Sequence, residues 1–350
     1  MASLNEFHVS TGDWRTSLKR NKRRTTFVIG TFIIIYLAVG MLVDLFMQSG
    51  HYPHVPLHTI FIALITFKLI PYATIIVGVI AVLSLWVTFA FYDKIMLSGT
   101  DYFEVTPETA RSLEERQLYN VVEEMKVAAG LNYMPRVFII NADYMNAFAS
   151  GYSEKSAMVA ITRGLMQKLN RDELTAVMAH ELSHIRHMDI KLTLVASVLT
   201  NLTLIILDIL FYSALFSGGN GDRERGGSRN NLLIIIVVIR YVLPLLTMIL
   251  MLFLSRSREY MADAGCVELM RNNEPLAKAL LKIENDHKEN KEAYAEAYQS
   301  TPHEAVRREA YIFDPVQQGI SGIHSPSDLL STHPGILKRL AAIGIKIKNQ

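Results

Sequence analysis

One cysteine, Cys266, occurs in the 350 residues, which excludes an internal disulfide and any zinc cluster built on several thiolates. Charged residues are also few, 19% against 50% hydrophobic, and the formal net charge is only +2. The one dense basic cluster, Arg15, Lys19, Arg20, Lys22, Arg23 and Arg24, has no interleaved aromatic platform and abuts an apolar block. It therefore reads as a positive-inside membrane anchor, and no nucleic-acid partner is expected. About 24 mostly polar residues precede that block and no small-residue cleavage site follows it, which argues against a cleaved signal peptide. No internal repeat is present.

What the chain does have is long apolar runs. Residues 25–47 are apolar except for Asp44 near the end, the length of one bilayer crossing. The next apolar region, 58–92, is too long for one span and is interrupted by Lys68 and Pro71, so the second span is placed at 72–92. Residues 60–67 then form an extension or an interfacial piece, because about 12 apolar residues are too few to cross. Third and fourth spans are expected at 192–216 and 232–254, joined by a polar, glycine-rich surface loop over 218–231. Asp208 lies about 24 Å into the outgoing span and Arg240 about 12 Å into the returning one, so both occupy the outer half of a roughly 30 Å core and are expected to pair.

Between the hairpins the composition turns mixed and soluble. Thr106-Pro107-Glu108 reads as the start of a charged helix ending near Gly130. Residues 137–140, 147–149 and 157–162 have the pattern of short buried strands. A helix over about 171–187 follows, and its charges at Arg171, Asp172, Glu173 and Arg186 predict that it is in water near its histidines. Beyond residue 254 the pattern predicts a charged helix over 276–299, a loop near 321–327 and a last helix after His333-Pro334-Gly335. The chain thus divides into a basic N-terminus (1–24), a first membrane hairpin (25–92), a soluble part (93–190), a second hairpin (191–254) and a second soluble part (255–350).

The soluble helix carries His180-Glu181-Leu182-Ser183-His184. Residues four apart share one helix face, so both imidazoles can reach one ion, with Glu181 placed beside them to take a proton from water. A catalytic zinc keeps three protein ligands, so a third is required. His187 shares the face but lies seven residues from His180, about 10 Å along the axis, too far to bind the same ion. Ile190 stands where an astacin-like pattern needs a third histidine. Glu259 is the better candidate: His184 precedes the third span by about 12 Å of helix and Glu259 follows the fourth by about 7.5 Å, so the hairpin returns the chain to the same depth. Its alternative is a surface carboxylate paired with Arg256 or Arg258.

Together with Asn146-Ala147-Phe148-Ala149-Ser150-Gly151, Ser255 to Asp263 and the His333-Pro334 and Lys338-Arg339 pairs, this motif resembles the HtpX family of membrane-integral zinc metalloproteases, relatives of the CAAX-prenyl endopeptidases. The resemblance implies one zinc per chain at His180, His184 and Glu259, Glu181 as general base and later acid, and Asp263 orienting a ligating imidazole. It assigns Asn146, Ala147, Phe148 and Ala149 to substrate and His333 to the oxyanion; strand-turn and helix caps are the alternatives for Asn146 and His333. Asp189 is left out, since its helical angle points away from the metal, and His187 has no reading. The fold expected is an α-helical membrane protein with four transmembrane helices and an α+β zincin-like catalytic domain, the motif helix beside a small sheet.

An extended peptide could add to a strand edge near 146–150 or 157–162, which implies broad specificity. The function expected is proteolytic quality control of misfolded or damaged membrane proteins at the cytoplasmic face of a bacterial inner membrane. The N-terminus and catalytic domain would be cytoplasmic. Partners would be unfolded or membrane-protein substrates, the lipid bilayer, and further copies of the chain or other quality-control proteases. An intramembrane protease is disfavoured by the charges at Arg171 to Glu173 and Arg186, and a CAAX-processing enzyme by the small number of spans. A transporter or channel component with a structural metal is the alternative from a different class.

Overall fold

The computed structural model describes residues 7–9, 14–216, 226–301, 307–308, 310–315 and 333–347. These divide into two compact units, one of 26–88 and 194–251, the other of 1–25, 89–193 and 252–350.

The first unit draws on α1 (Trp14–His51), α2 (Leu57–Ile65), α3 (Tyr72–Leu97), α7 (Asp189–Phe216) and α8 (Gly226–Met270). Four of these, all but α2, are long and apolar enough to cross a membrane. Their outward faces carry exposed large apolar residues such as Ile34, Val82, Trp86, Ile209 and Ile234, a surface suited to lipid rather than water. At nine residues α2 is about 13.5 Å long, under half of a bilayer core, and Phe67 at φ 54° ends the turn that follows it. The single charge of the first span has a local explanation. Asp44 is buried and accepts from the Ala73 and Thr74 backbone N–H groups at 2.8 and 2.9 Å and from Thr74 Oγ1 at 2.7 Å. It thereby satisfies first-turn amides of α3 that no intrahelical carbonyl can reach. Arg240 Nε donates to Asp208 Oδ1 at 2.7 Å, the expected pairing, and its guanidinium lies 4.3 Å from the Phe211 ring centroid. Residues 226–231, expected in a loop, instead open α8, while 218–225 lie outside the described residues.

The second unit holds a four-stranded sheet in the order β2 (Tyr102–Val105), β3 (Arg136–Ile140), β5 (Met158–Thr162), β4 (Ala147–Ser150). Only the β3–β5 pair is parallel. Both central strands are almost wholly buried, which fits their unbroken apolar runs. A separate pair joins β1 (Phe7–Val9) to β6 (Ile345–Ile347). Because β5 is interior, residues 157–162 offer no free edge, contrary to the sequence expectation. The β4 edge remains, and there Ile312 N donates to Ala147 O at 2.9 Å beside a bridge between Phe148 and Tyr311.

Helix α4 (Leu113–Ala129) starts six residues later than a Thr106 cap would set it, with Ser112 as its cap. Ser112 and Glu115 form a complete capping box, whereas Thr106 and Thr109 bond each other in a local turn. After α5 (Arg163–Lys168), α6 (Arg171–Arg186) opens on a second capping box, Asn170 with Glu173. Every residue from Glu173 to Ile185 is buried, so this helix lies in the protein interior and not in water around its histidines; its exposed charges sit at its ends. The charged region after 270 is two helices, α9 (Glu274–Glu289) and α10 (Lys291–Ser300), broken at Asn290. The last helix, α11 (Ile336–Ala342), follows Gly335, and the loop expected near 321–327 lies outside the described residues.

Candidate metal centre

The i, i+4 spacing on α6 brings His180 Nε2 and His184 Nε2 to 3.2 Å, with the rings edge-on at 86°. Glu259, on the part of α8 beyond its apolar stretch, closes the group: its Oε2 lies 3.7 Å from His180 Nε2 and its Oε1 3.6 Å from His184 Nε2. All three side chains are buried, and one donor atom of each lies within 4.8 Å of the others. His187 is not in the group, because as the residue that ends α6 it turns Nδ1 back to Ser183 O at 2.8 Å.

The opposite ring nitrogens explain why these donors face one another. His184 Nδ1 meets Asp189 Oδ2 at 2.8 Å, and His180 Nδ1 lies 3.1 Å from Asp263 Oδ1 in a less well aligned contact. A carboxylate at Nδ1 keeps the proton there and leaves the Nε2 lone pair for the centre. Two such lone pairs 3.2 Å apart repel unless a cation lies between them. In a tetrahedral zinc site with bonds of about 2.0–2.1 Å, donor atoms stand about 3.3 Å apart. The donor set, its spacing and its outer carboxylates therefore fit a zinc-type ion.

Asp189 corrects the sequence reading, which placed it off the metal-facing side. The reason is a break in the helix: α6 ends at Arg186, Met188 has φ 53°, and Asp189 starts α7 on a new axis. Sequence reasoning also assigned no role to Arg339. This side chain, on α11, is buried and donates through Nε and Nη2 to Asp263 at 3.0 and 2.7 Å and through Nη1 to Ile312 O at 2.7 Å. Its Nη1 stands 3.5 Å from Glu259 Oε2. The Lys338-Arg339 pair in the C-terminal pattern was the available signal, but nothing local predicts a partner 76 positions away.

Burial works to lower both imidazoles. At His180 it prevails, with help from the Arg339 guanidinium, and the ring is held below its ordinary value. At His184 the bond to Asp189 and the charge of Glu259 outweigh burial, and the ring is raised. Glu181 is fully buried, and neither of its oxygens completes a hydrogen bond with a described residue. The Ala149 backbone N–H, from β4, acts on it as a weak donor. Burial pushes its carboxyl up to about 8. Such a group can accept and return a proton near neutrality.

His333 is buried, with Nε2 3.7 Å from Glu259 Oε1, so it reaches the centre. Asn146 is wholly buried, and its amide is engaged by Tyr298 Oη at 3.1 Å, Phe313 O at 3.0 Å, Ala147 N at 3.1 Å and Phe313 N at 3.4 Å. With His287 Nδ1 on Ile283 O, Tyr298 donates onward to His287 Nε2 at 3.1 Å, and every proton in the chain has one acceptor. Asn146 thus fastens the start of β4 to α9, α10 and the 311–313 segment. Ala147, Phe148 and Ala149 are buried in that strand. Cys266 is also inert, being buried against Ala176 O with its thiol pushed up by burial.

The approach of α8 to α6 depends on Gly265. A Cβ there would fall 1.9 Å from Ser183 Oγ and 2.9 Å from Ser183 Cβ. Gly265→Ala should therefore destabilise the fold by about 1–3 kcal/mol, and Ser183→Ala in the same chain should restore part of that loss. Thermal unfolding of the purified single and double variants checks this; a fully stable single variant would show that the helices separate without cost.

Two imidazoles and a carboxylate around a common point, with a buried carboxyl beside them, define a metal-dependent hydrolase, here in a chain with four candidate membrane spans. The family model for peptidase family M48 matches residues 112–345, a stretch that contains the whole centre. A protease HtpX homolog from Helicobacter acinonychis is 37% identical over 326 residues, covering 93% of this chain and 96% of the relative. Another from Listeria monocytogenes serotype 4a is 35% identical over 309 residues, covering 84% and 92%. The crystal structure of Ste24p from S. mikatae aligns over 94% of this chain and 67% of that one, with 17% identity and a TM-score of 0.46. The chain belongs to the HtpX-type membrane metalloproteases of peptidase family M48. Membership of a peptidase family sets the transporter alternative aside.

Proposed function

We propose that this chain is a zinc endopeptidase that cuts misfolded or damaged membrane proteins at the cytoplasmic face of the inner membrane. The observation that carries the reading is the convergence of His180, His184 and Glu259, with Asp263 and Asp189 behind the two imidazoles. One zinc held by these three residues would supply a Lewis acid able to make water nucleophilic near neutral pH. Glu181 takes the proton of the attacking water and returns it to the leaving amine. His333, whose Nε2 lies 3.7 Å from Glu259 Oε1, donates to the oxygen that gains charge at the scissile carbonyl. Strand β4 lies beside Glu181, and an extended peptide that displaces the 311–312 segment from its edge is read along Ala147, Phe148 and Ala149 through main-chain bonds. Asn146 fixes the start of that strand and does not touch the peptide.

The basic cluster before the first span supports a cytoplasmic N-terminus, and an even number of crossings returns each later soluble part to the same side. Unfolded segments are favoured because main-chain pairing reads little sequence. The test compares metal content and cleavage of an unfolded membrane-protein substrate in the wild type, the chelated and zinc-reloaded protein, and Glu259→Ala. Zinc near one per chain, cleavage that follows it, and at least about tenfold weaker metal binding in the variant are expected. Full occupancy in Glu259→Ala would remove this residue from the ligand set, and cleavage that survives chelation would overturn the reading.

A further inference from the structure

The basic N-terminal part of α1 has two faces. Ser17, Asn21 and Thr25, spaced four apart, are buried, and Asn21 Nδ2 donates to Ser17 Oγ at 3.4 Å. Arg15, Lys19 and Lys22, spaced four and three apart, are exposed and line one wall of a cavity of about 520 Å³. The opposite wall comes from the end of α6 and from α8: Arg186, His187, Met261 and Glu268. Arg186 Nη1 is already paired with Glu268 Oε2 at 2.9 Å. Among the described residues, Arg15, Lys19, Lys22 and Arg186 bring four cationic side chains to this space and Glu268 one carboxylate. Leu18 and Met261 add an apolar part to a lining that is otherwise polar or charged, Thr16 and His187 included. The volume is in the range of small-ligand sites, which run from about 300 to 1,000 Å³.

We infer that this cavity is a binding site for the phosphate-bearing headgroup of an anionic phospholipid. Phosphate is the anion for which convergent Arg and Lys donors are suited, through charge-assisted bonds. A lipid is favoured over a soluble phosphate by position along the helix. Lys22 precedes Thr25, where the apolar stretch of α1 begins, by three residues, about 4.5 Å, the depth at which headgroups lie if that stretch crosses the bilayer. Basic pockets beside membrane helices on the cytoplasmic side take headgroups in this way. The apolar contribution of Leu18 and Met261 suits the glycerol end of the same molecule. The site is not part of the metal centre but shares its supports. Arg186 is the last residue of the helix that bears His180 and His184, and Met261 lies between Glu259 and Asp263 on α8. A bound headgroup would tie the start of α1 to both.

The test reads lipid and not hydrolysis, so it stands or falls apart from the protease assignment. The full chain is reconstituted in vesicles of equal parts phosphatidylcholine and phosphatidylglycerol, extracted gently, and the phosphatidylglycerol retained per chain is measured by native mass spectrometry. Lys19→Gln/Lys22→Gln should weaken retention by about 30-fold, in line with two lost surface cations. Arg20→Gln/Arg23→Gln removes the same charge from positions outside the cavity and should retain lipid as the wild type does. The conservative Lys19→Arg/Lys22→Arg keeps the cations and should also retain it, which guards against misfolding of the first variant. Equal loss in both glutamine variants would overturn the site in favour of diffuse surface attraction. Displacement of the lipid by millimolar inorganic phosphate, with phosphate held as tightly in detergent, would overturn the lipid as its occupant.

Discussion

Glu181→Gln will leave the metal content of the purified protein at its wild-type level and slow hydrolysis of an unfolded substrate by about 10²–10⁴-fold. The two side chains have the same shape, and the fold asks little of the carboxylate: Glu181 is fully buried, and neither of its oxygens completes a hydrogen bond with a described residue. An amide there removes a burial cost without removing a strong contact. What it cannot do is accept a proton. The pH dependence has a definite sign. A base must be ionised to work, so kcat/KM rises with pH through the pKa of Glu181. The surrounding residues alone, burial foremost, push that value to about 8, and a dication at the three donors moves it down. The acid limb of the profile should therefore lie below 8 in the wild type and vanish in the variant. Metal lost from Glu181→Gln would make this residue a ligand, and unchanged hydrolysis would remove it from the reaction.

Asp263→Ala should be the most destabilising change at the centre, by about 3–5 kcal/mol, because it leaves a buried guanidinium without its carboxylate. Arg339 is 2% exposed and gives Asp263 two of its bonds, at 3.0 and 2.7 Å. The same change deprives His180 Nδ1 of its contact at 3.1 Å and leaves the positive charge of Arg339 near the donors. Metal affinity should fall by about 10–100-fold. Adding Arg339→Met separates the two effects. The double variant has no unpaired buried charge and should recover most of the stability, measured by thermal unfolding. It still lacks the partner of His180, so its metal binding should stay weak in a competitive chelator titration. Recovery of both properties would mean that Asp263 acts only by neutralising Arg339.

The parts of this molecule legible in its sequence are those set by periodicity. The i, i+4 histidines, the four long apolar runs and the strands over 137–140, 147–149 and 157–162 follow from local pattern, and all recur in the fold. Glu259 was reachable because the depth of a membrane hairpin is simple arithmetic along a helix axis. Asp189 was not: the angle of one helix does not extend past Met188, whose positive φ redirects the chain. The burial of α6 is not legible locally, because Arg171, Asp172 and Arg186 mark only its ends, while the middle is covered by elements distant in sequence, α4 and α9 among them. The bonds that Asn146 makes are not legible in its motif, because Tyr298 and Phe313 lie 152 and 167 positions away. The late start of α4 is a case of two competing caps, where the box of Ser112 and Glu115 satisfies two amides reciprocally and Thr106 satisfies none of the helix.

The order in which the centre's residues are synthesised follows the chain, and it delays completion. His180 and His184 emerge early, but Asp189 begins the next helix, Glu259 and Asp263 come only after the second apolar hairpin has been made, and His333 and Arg339 come after α10. A ribosome-bound chain that has translated the histidine motif still lacks the third donor and the guanidinium that holds Asp263. A chain at that stage cannot close the group of His180, His184 and Glu259, so assembly of the centre waits for the second hairpin.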